Sequence, residues 1–115
     1  MNLCLLHTAD LHDHLTPAKA ARLRELRIER QALLLDSGDA LKSPNLVAQP
    51  WPERAIRLMN DAGYDAMCVG NREYGLTWGA MRAKTGEARF PVLSANLLPR
   101  GAASPPRQRW AIVKA

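Results

Sequence analysis

LLHTADLHDHL, residues Leu5 to Leu15, opens as an apolar run and closes in acid and imidazole: His7, Asp10, His12, Asp13 and His14. All three histidines of the chain fall inside it. The short continuous apolar run, Leu3 to Leu6, fits a buried strand. Asp10-Leu11-His12 comes directly after it. It sets a hard oxygen donor and a borderline nitrogen donor at the strand's C-terminal edge, where open α/β sheets bind their ligands. Asp with His suits a divalent transition ion such as Zn, Mn or Fe. Taken alone, Asp-x-His is a common chance pattern, so the weight falls on the later strand ends of the chain.

Downstream the same arrangement recurs. Thr16 can cap a helix that Pro17 opens at its first turn, running to about Gln31 with Ala20, Leu23 and Leu26 as its apolar stripe and Ile28 off it. Ala32 to Leu35 reads as a second buried strand, stopping at Asp36-Ser37-Gly38-Asp39. Residues 40–51, with Pro44 and Pro50, read as a loop. Pro52-Glu53 opens a helix with Ala55, Ile56, Met59 and Ala62 at helical spacing, and Gly63 ends it as a left-handed cap. A third strand, Ala66 to Val69, stops at Gly70-Asn71-Arg72-Glu73. A short helix from about Thr77 to Lys84 leads to a fourth strand, Pro91 to Ser94, which stops at Ala95-Asn96. Residues 99–107 are rich in Pro, Gly, Ser and Arg and suit a loop, and Trp110 to Val113 reads as the start of a fifth strand.

Alternation of strand and helix predicts an α/β fold, a parallel or mixed sheet with helices packed on it. Right-handed crossovers bring successive parallel strand ends to one side, so Asp10 and His12, Asp39, Asn71 and Asn96 are expected along one rim. The 115 residues form one domain, 1–115. With 47% apolar and 23% charged residues the composition is that of a soluble globular chain. No apolar stretch is long enough to span a bilayer, so no membrane partner is expected. The first residues lack the basic region of a signal peptide, which points to a cytoplasmic location. Cys4 and Cys68 each fall inside an expected buried strand, as reduced core thiols rather than a disulfide. The net charge of +5 would suit nucleic acid. Glu25 and Glu29 interleave with Arg22, Arg24, Arg27 and Arg30, however, which suits a solvated helix face and makes a nucleic-acid partner unlikely.

A two-metal hydrolytic site needs a ligand shared by both ions, because these sit only about 3.5–4 Å apart. Asp39, preceded by a glycine, is the bridging candidate, and the Asn71 amide oxygen is a candidate for the second ion. Gly38-Asp39 and Gly70-Asn71 are each explained by a plain turn when taken singly. Their order at successive strand ends is what favours ligation.

These blocks, LHTADLHDHL, LLLDSGDAL, AGYDAMCVGNREYG and then PVLSANL, resemble those of the calcineurin-like metallophosphoesterases, and within them the 5′-nucleotidase and UDP-sugar hydrolase group. The resemblance runs from Leu3 to about Leu98 and implies the first half of a four-layer αββα domain. It implies that Asp10 and His12 ligate the first of two divalent ions (Mn, Zn, Fe or Mg), that Asp39 bridges them and that Asn71 ligates the second. A metal-bound hydroxide would then attack a phosphomonoester, with a phosphate ester or nucleotide as substrate.

Two departures qualify that expectation. The family places a histidine after Asn71, where this chain has Arg72. Arginine cannot act as a general acid, but it can donate a fork of hydrogen bonds to phosphate. Asn71 and Arg72 are therefore the catalytic candidates, with Arg72 also binding substrate. Because a second cation within about 4 Å costs about 4 kcal/mol at an effective dielectric of 20, Arg72 should lean on substrate or pair with Glu73 or Asp65. The family also takes further histidines from later in its domain, and none comes after His14. His7 and His14 do not stand where those ligands belong; the first should lie at the sheet interior or rim, the second in solvent. The expected metal content is two ions as in the family, or one, or none. The chain reads as a truncated N-terminal half-domain, weak or inactive alone. The alternative is a non-catalytic remnant or interaction module that self-associates or needs a complementary chain.

Overall fold

A computed structural model describes residues 2–44, 49, 51–97 and 108–114. Four strands, β1 (Leu5–Thr8), β2 (Leu33–Asp36), β3 (Ala66–Cys68) and β4 (Val92–Leu93), form one sheet in the order β1-β2-β3-β4. Every pair is parallel, so of the two sheet types expected the parallel one is found. Helices α1 (Pro17–Glu29), α2 (Arg54–Ala62), α3 (Asn71–Tyr74) and α4 (Trp78–Thr85) fill the connections. Successive right-handed crossovers stepping the same way across the sheet stack their helices on one face, and α1 packs against α2 accordingly.

The covered face holds the core. Asp36, Met67 and Val92 lie in one register row across β2, β3 and β4. Leu34 and Met67 pack with Ala20 of α1 and with Ile56 and Met59 of α2. Burial of each of the larger side chains contributes roughly 1.5–3 kcal/mol. Helix α1 begins as its sequence dictates, with the Lys19 N–H donating to Thr16 Oγ1 at 3.2 Å. Ile28 is 63% exposed, off the packed stripe. Arg22 pairs with Glu25 at 3.1 Å on the solvated side. Gly63 stops α2 at φ 80.

The opposite face is bare along the edge strand, and this corrects the expectation of β1 as a buried strand, while β2 is covered along most of its length. Leu5 is 53% exposed, Cys68 is exposed, and Cys4 is half-buried and lies just before β1. Neither thiol is a core group, because β1 is an edge strand and Cys68 points away from the helices. Residues 111 and 113 lean on this face, where Ala111 and Val113 share an apolar cleft with Leu35, Cys68 and Leu93.

The expected fifth strand does not form among the described residues. Leu93 and Gln108 make an isolated parallel bridge, and the Ser94 N–H donates to the Gln108 carbonyl at 3.0 Å. A two-residue β4 offers too short a ladder to extend pairing to Trp110, which is 69% exposed. The loop expected over 99–107 lies outside the described residues, as do 45–48 and Pro50 of the loop expected over 40–51. None of the described helices is long and apolar enough to cross a membrane.

Candidate metal centre

The C-terminal ends of β1 and β2 carry the site. Asp10 and His12 come from the loop after β1, and Asp39 from the loop after β2. One donor atom of each lies within 4.8 Å of the others. His12 Nε2 stands 3.7 Å from Asp10 Oδ1. The two loops run side by side as a continuation of the parallel ladder. The Asp10 N–H donates to the Gly38 carbonyl at 3.0 Å, His12 N–H to Asp39 at 3.0 Å and Asp13 N–H to Ala40 at 2.9 Å.

Local backbone geometry aims the donors. Asp10, His12 and Asp39 have φ of 53°, 46° and 58°, the left-handed region that Asp and His enter more readily than most side chains. Gly38, at φ 108°, and Gly70 let the β2 and β3 loops close on each other. A Cβ on Gly70 would sit 2.5 Å from the Asp39 backbone nitrogen. Gly70→Ala is therefore expected to cost roughly 1–3 kcal/mol as an overpacked contact. Chemical denaturation should show that loss, and a change within error would contradict the close approach.

Asn71 opens α3 and is exposed. Its neighbours bracket Asp39: Gly70 touches it, and the Arg72 N–H donates to Asp39 Oδ1 at 2.8 Å. The third strand end thus reaches the same rim as the first two. The Arg72 side chain does not make the ion pair expected with Glu73 or Asp65. Its Nη1 donates to the carbonyls of Leu41 and Lys42 at 3.3 and 3.2 Å. Asp65 is already taken by Arg27 at 2.7 Å, and Glu73 by backbone. His7 and His14 lie outside the cluster. His7 Nε2 meets Ser37 Oγ at 2.8 Å on the rim, and His14 is exposed.

Glu73 is the residue that sequence reasoning missed. It is fully buried, 0% exposed. Its carboxylate accepts the N–H groups of Asp39 (2.8 Å), Ala40 (2.9 Å), Leu41 (3.2 Å) and Gly70 (2.8 Å), and so ties the β2 and β3 loops together. Burial pushes its pKa up, against the pull of those N–H donors. Half of the signal was present: a Glu at the third helical position can accept from the N-cap N–H, as Glu73 does from Gly70, but glycine has no side chain to complete a capping box. Behind it lies a second buried acid, Glu53, which accepts from the Ser43 N–H at 3.2 Å and from its hydroxyl.

Asp36, buried at the end of β2, accepts from Thr8 Oγ1 at 2.6 Å and the Gly38 N–H at 2.7 Å. Tyr64 OH joins Thr8 at 2.8 Å, and burial pushes its pKa up to about 12. Burial also raises Asp36 above the usual carboxylate value, opposed by the Thr8 and Gly38 hydrogen bonds. A raised folded pKa binds the proton more tightly in the native state, so its stabilising contribution is complete below about pH 4 and is lost as pH rises through the folded value. Asp36→Asn should flatten the fall in stability between about pH 4 and pH 7. Denaturant titrations across that range check it, and an unchanged slope would refute it.

No protein-family model matches the chain. The venom 5′-nucleotidase of Gloydius brevicauda is 32% identical over 120 residues, covering 86% of this chain and 20% of that protein. The chain spans about a fifth of the length of the venom 5′-nucleotidases it matches. The crystal structure of a 5′-nucleotidase precursor from Thermus thermophilus superposes with a TM-score of 0.64 at 30% identity, over 82% of this chain and 22% of that one. Haemophilus influenzae NAD nucleotidase gives a TM-score of 0.67 at 22% identity over 86% of this chain and 21% of that one, a likeness of fold.

Proposed function

Since this chain belongs to the 5′-nucleotidase group of the calcineurin-like metallophosphoesterases, we propose that it carries part of a domain that hydrolyses phosphate monoesters of nucleotides. A divalent ion would be held by Asp10, His12 and Asp39. The observation that carries the reading is the convergence of those three donors from two separate loops to within 4.8 Å. Two carboxylates and an imidazole suit Mn, Fe or Zn. Such an ion would supply an acidified water and neutralise charge on a phosphate.

The chain's own residues take the remaining parts. Asp39, tied by its loop to the β1 loop and by Oδ1 to the Arg72 N–H, would be the carboxylate shared with a second ion. The Asn71 amide oxygen would be the donor to that second ion. Arg72 offers the guanidinium N–H groups not spent on the Leu41 and Lys42 carbonyls to phosphate oxygens. It has no proton to release near neutral pH, so it cannot protonate the leaving oxygen. Calorimetric titration of the full chain with manganese, together with phosphate release from a nucleoside 5′-monophosphate, tests the proposal. Saturable uptake is expected, with chelator-sensitive release weak at most from this part of the domain. An absence of saturable uptake would overturn it.

A further inference from the structure

We propose that Lys84 is a positioning residue for the metal centre, holding the Arg72 peptide from behind and through it Asp39. Lys84 lies near the C-terminal end of α4 and is fully buried, 0% exposed. Lysine is almost never fully buried unless it is paired. Its Nζ donates to the Arg72 carbonyl. The N–H of that same residue donates to Asp39 Oδ1 at 2.8 Å. The adjoining Glu73 carboxylate binds the backbone N–H of Asp39 and Gly70. Asp39 is thus gripped by Arg72 and Glu73, and the carbonyl joining those two residues is anchored to α4 by the Lys84 ammonium.

The charges around Lys84 suit the role. Glu73 of α3 and Glu53 at the start of α2 both attract its ammonium, against the desolvation that lowers its pKa. The Glu53 N–H also donates to the Lys84 carbonyl at 3.3 Å. Lys84 therefore joins the β3 loop through its ammonium and the start of α2 through its carbonyl, with two buried carboxylates attracting its charge. Removing one partner of a buried charge set leaves the others uncompensated, and the segment then free to shift is the one that touches Asp39. A lysine at a helix C-terminus reads in sequence as a complement to the helix dipole, which is why nothing in the chain announces this role.

The test uses the full chain and the Lys84→Met variant, which keeps the length of the side chain and drops its charge. Amide hydrogen exchange by NMR, without metal, is expected to quicken about tenfold at Asp39, Ala40, Leu41, Gly70 and Arg72, while Met67 and Val69 in the β3–β4 ladder stay unchanged. Manganese affinity should fall about tenfold, the lower end of the loss seen for partners outside the ligand set. Equal acceleration at all seven amides, or none at the five, would overturn the inference. If Lys84→Met does not fold, Glu53→Gln/Lys84→Met removes one acid with the cation and carries the same readout. The metal arm rests on the function proposed above and the amide arm does not. A parent chain that takes up no manganese would therefore defeat that function while the amide pattern decides this inference.

Discussion

Asp39→Ala is expected to lower manganese affinity by roughly 100-fold or more, beyond the range typical of partners outside the ligand set. Asp10, His12 and Asp39 are the described His, Cys, Asp and Glu residues that cluster closely enough to hold an ion. A zinc-like ion wants about four ligands, so the loss of one from a set of three leaves a site that cannot compete with water. The chain itself should survive the change. Asp39 Oδ1 accepts one hydrogen bond, from the Arg72 N–H, and losing it costs about 1 kcal/mol. Alanine tolerates φ 58° less well than aspartate does, so Asp39→Asn is the cleaner companion. It keeps an acceptor for Arg72 and a side chain suited to that backbone, and removes the charge. Both variants should melt cooperatively and bind little manganese in a calorimetric titration. Parent-like affinity in either would separate Asp39 from the site.

The largest effect on stability is expected at Glu73. Glu73→Ala leaves the N–H groups of Asp39, Ala40, Leu41 and Gly70 without their acceptor. Each unmet buried donor costs about 1–3 kcal/mol; the Ala40 and Leu41 donors are buried and the Asp39 and Gly70 donors partly so, and their combined loss is a large share of the stability of a small domain, about 5–15 kcal/mol. At about 4–8 °C per kcal/mol for a domain near this size, the melting temperature should fall by roughly 20 °C or more, or the cooperative transition should vanish. Glu73→Gln keeps one oxygen but turns an amide N–H toward backbone N–H groups, so an intermediate loss is expected. A melt by circular dichroism within a few degrees of the parent for Glu73→Ala would show that the carboxylate does not hold the loops.

The sheet and the gathering of Asp10, His12 and Asp39 were legible because both arise from local rules. Apolar runs of strand length cut off by Asp, Gly and Asn mark the ends of β1, β2 and β3, and parallel connectivity gathers those ends. Thr16 and Gly63 announced the limits of α1 and α2 by cap chemistry. What escaped was whatever depends on a layer being present or missing. An apolar run such as Leu3 to Leu6 shows that a strand can be buried, not whether anything covers its second face, and so Cys68 and Leu5 were misplaced. Trp110 to Val113 has the composition of a strand but no ladder to join. The Arg72 side chain found backbone carbonyls, because the acids expected to receive it were already satisfied by Arg27 and by the loops. Glu73 and Lys84 are charged, and their burial comes only from tertiary closure around α3 and α4.

The three candidate ligand residues share an awkward backbone, and this bears on how the chain could be improved. A left-handed conformation costs an L-residue roughly 1–2 kcal/mol, a cost that glycine largely escapes. Glycine at residues 10, 12 or 39 would relax the loops and erase a donor in the same stroke. A campaign that selected only for heat resistance would drift toward a hardier fold with an empty rim, so ion retention has to be screened alongside it.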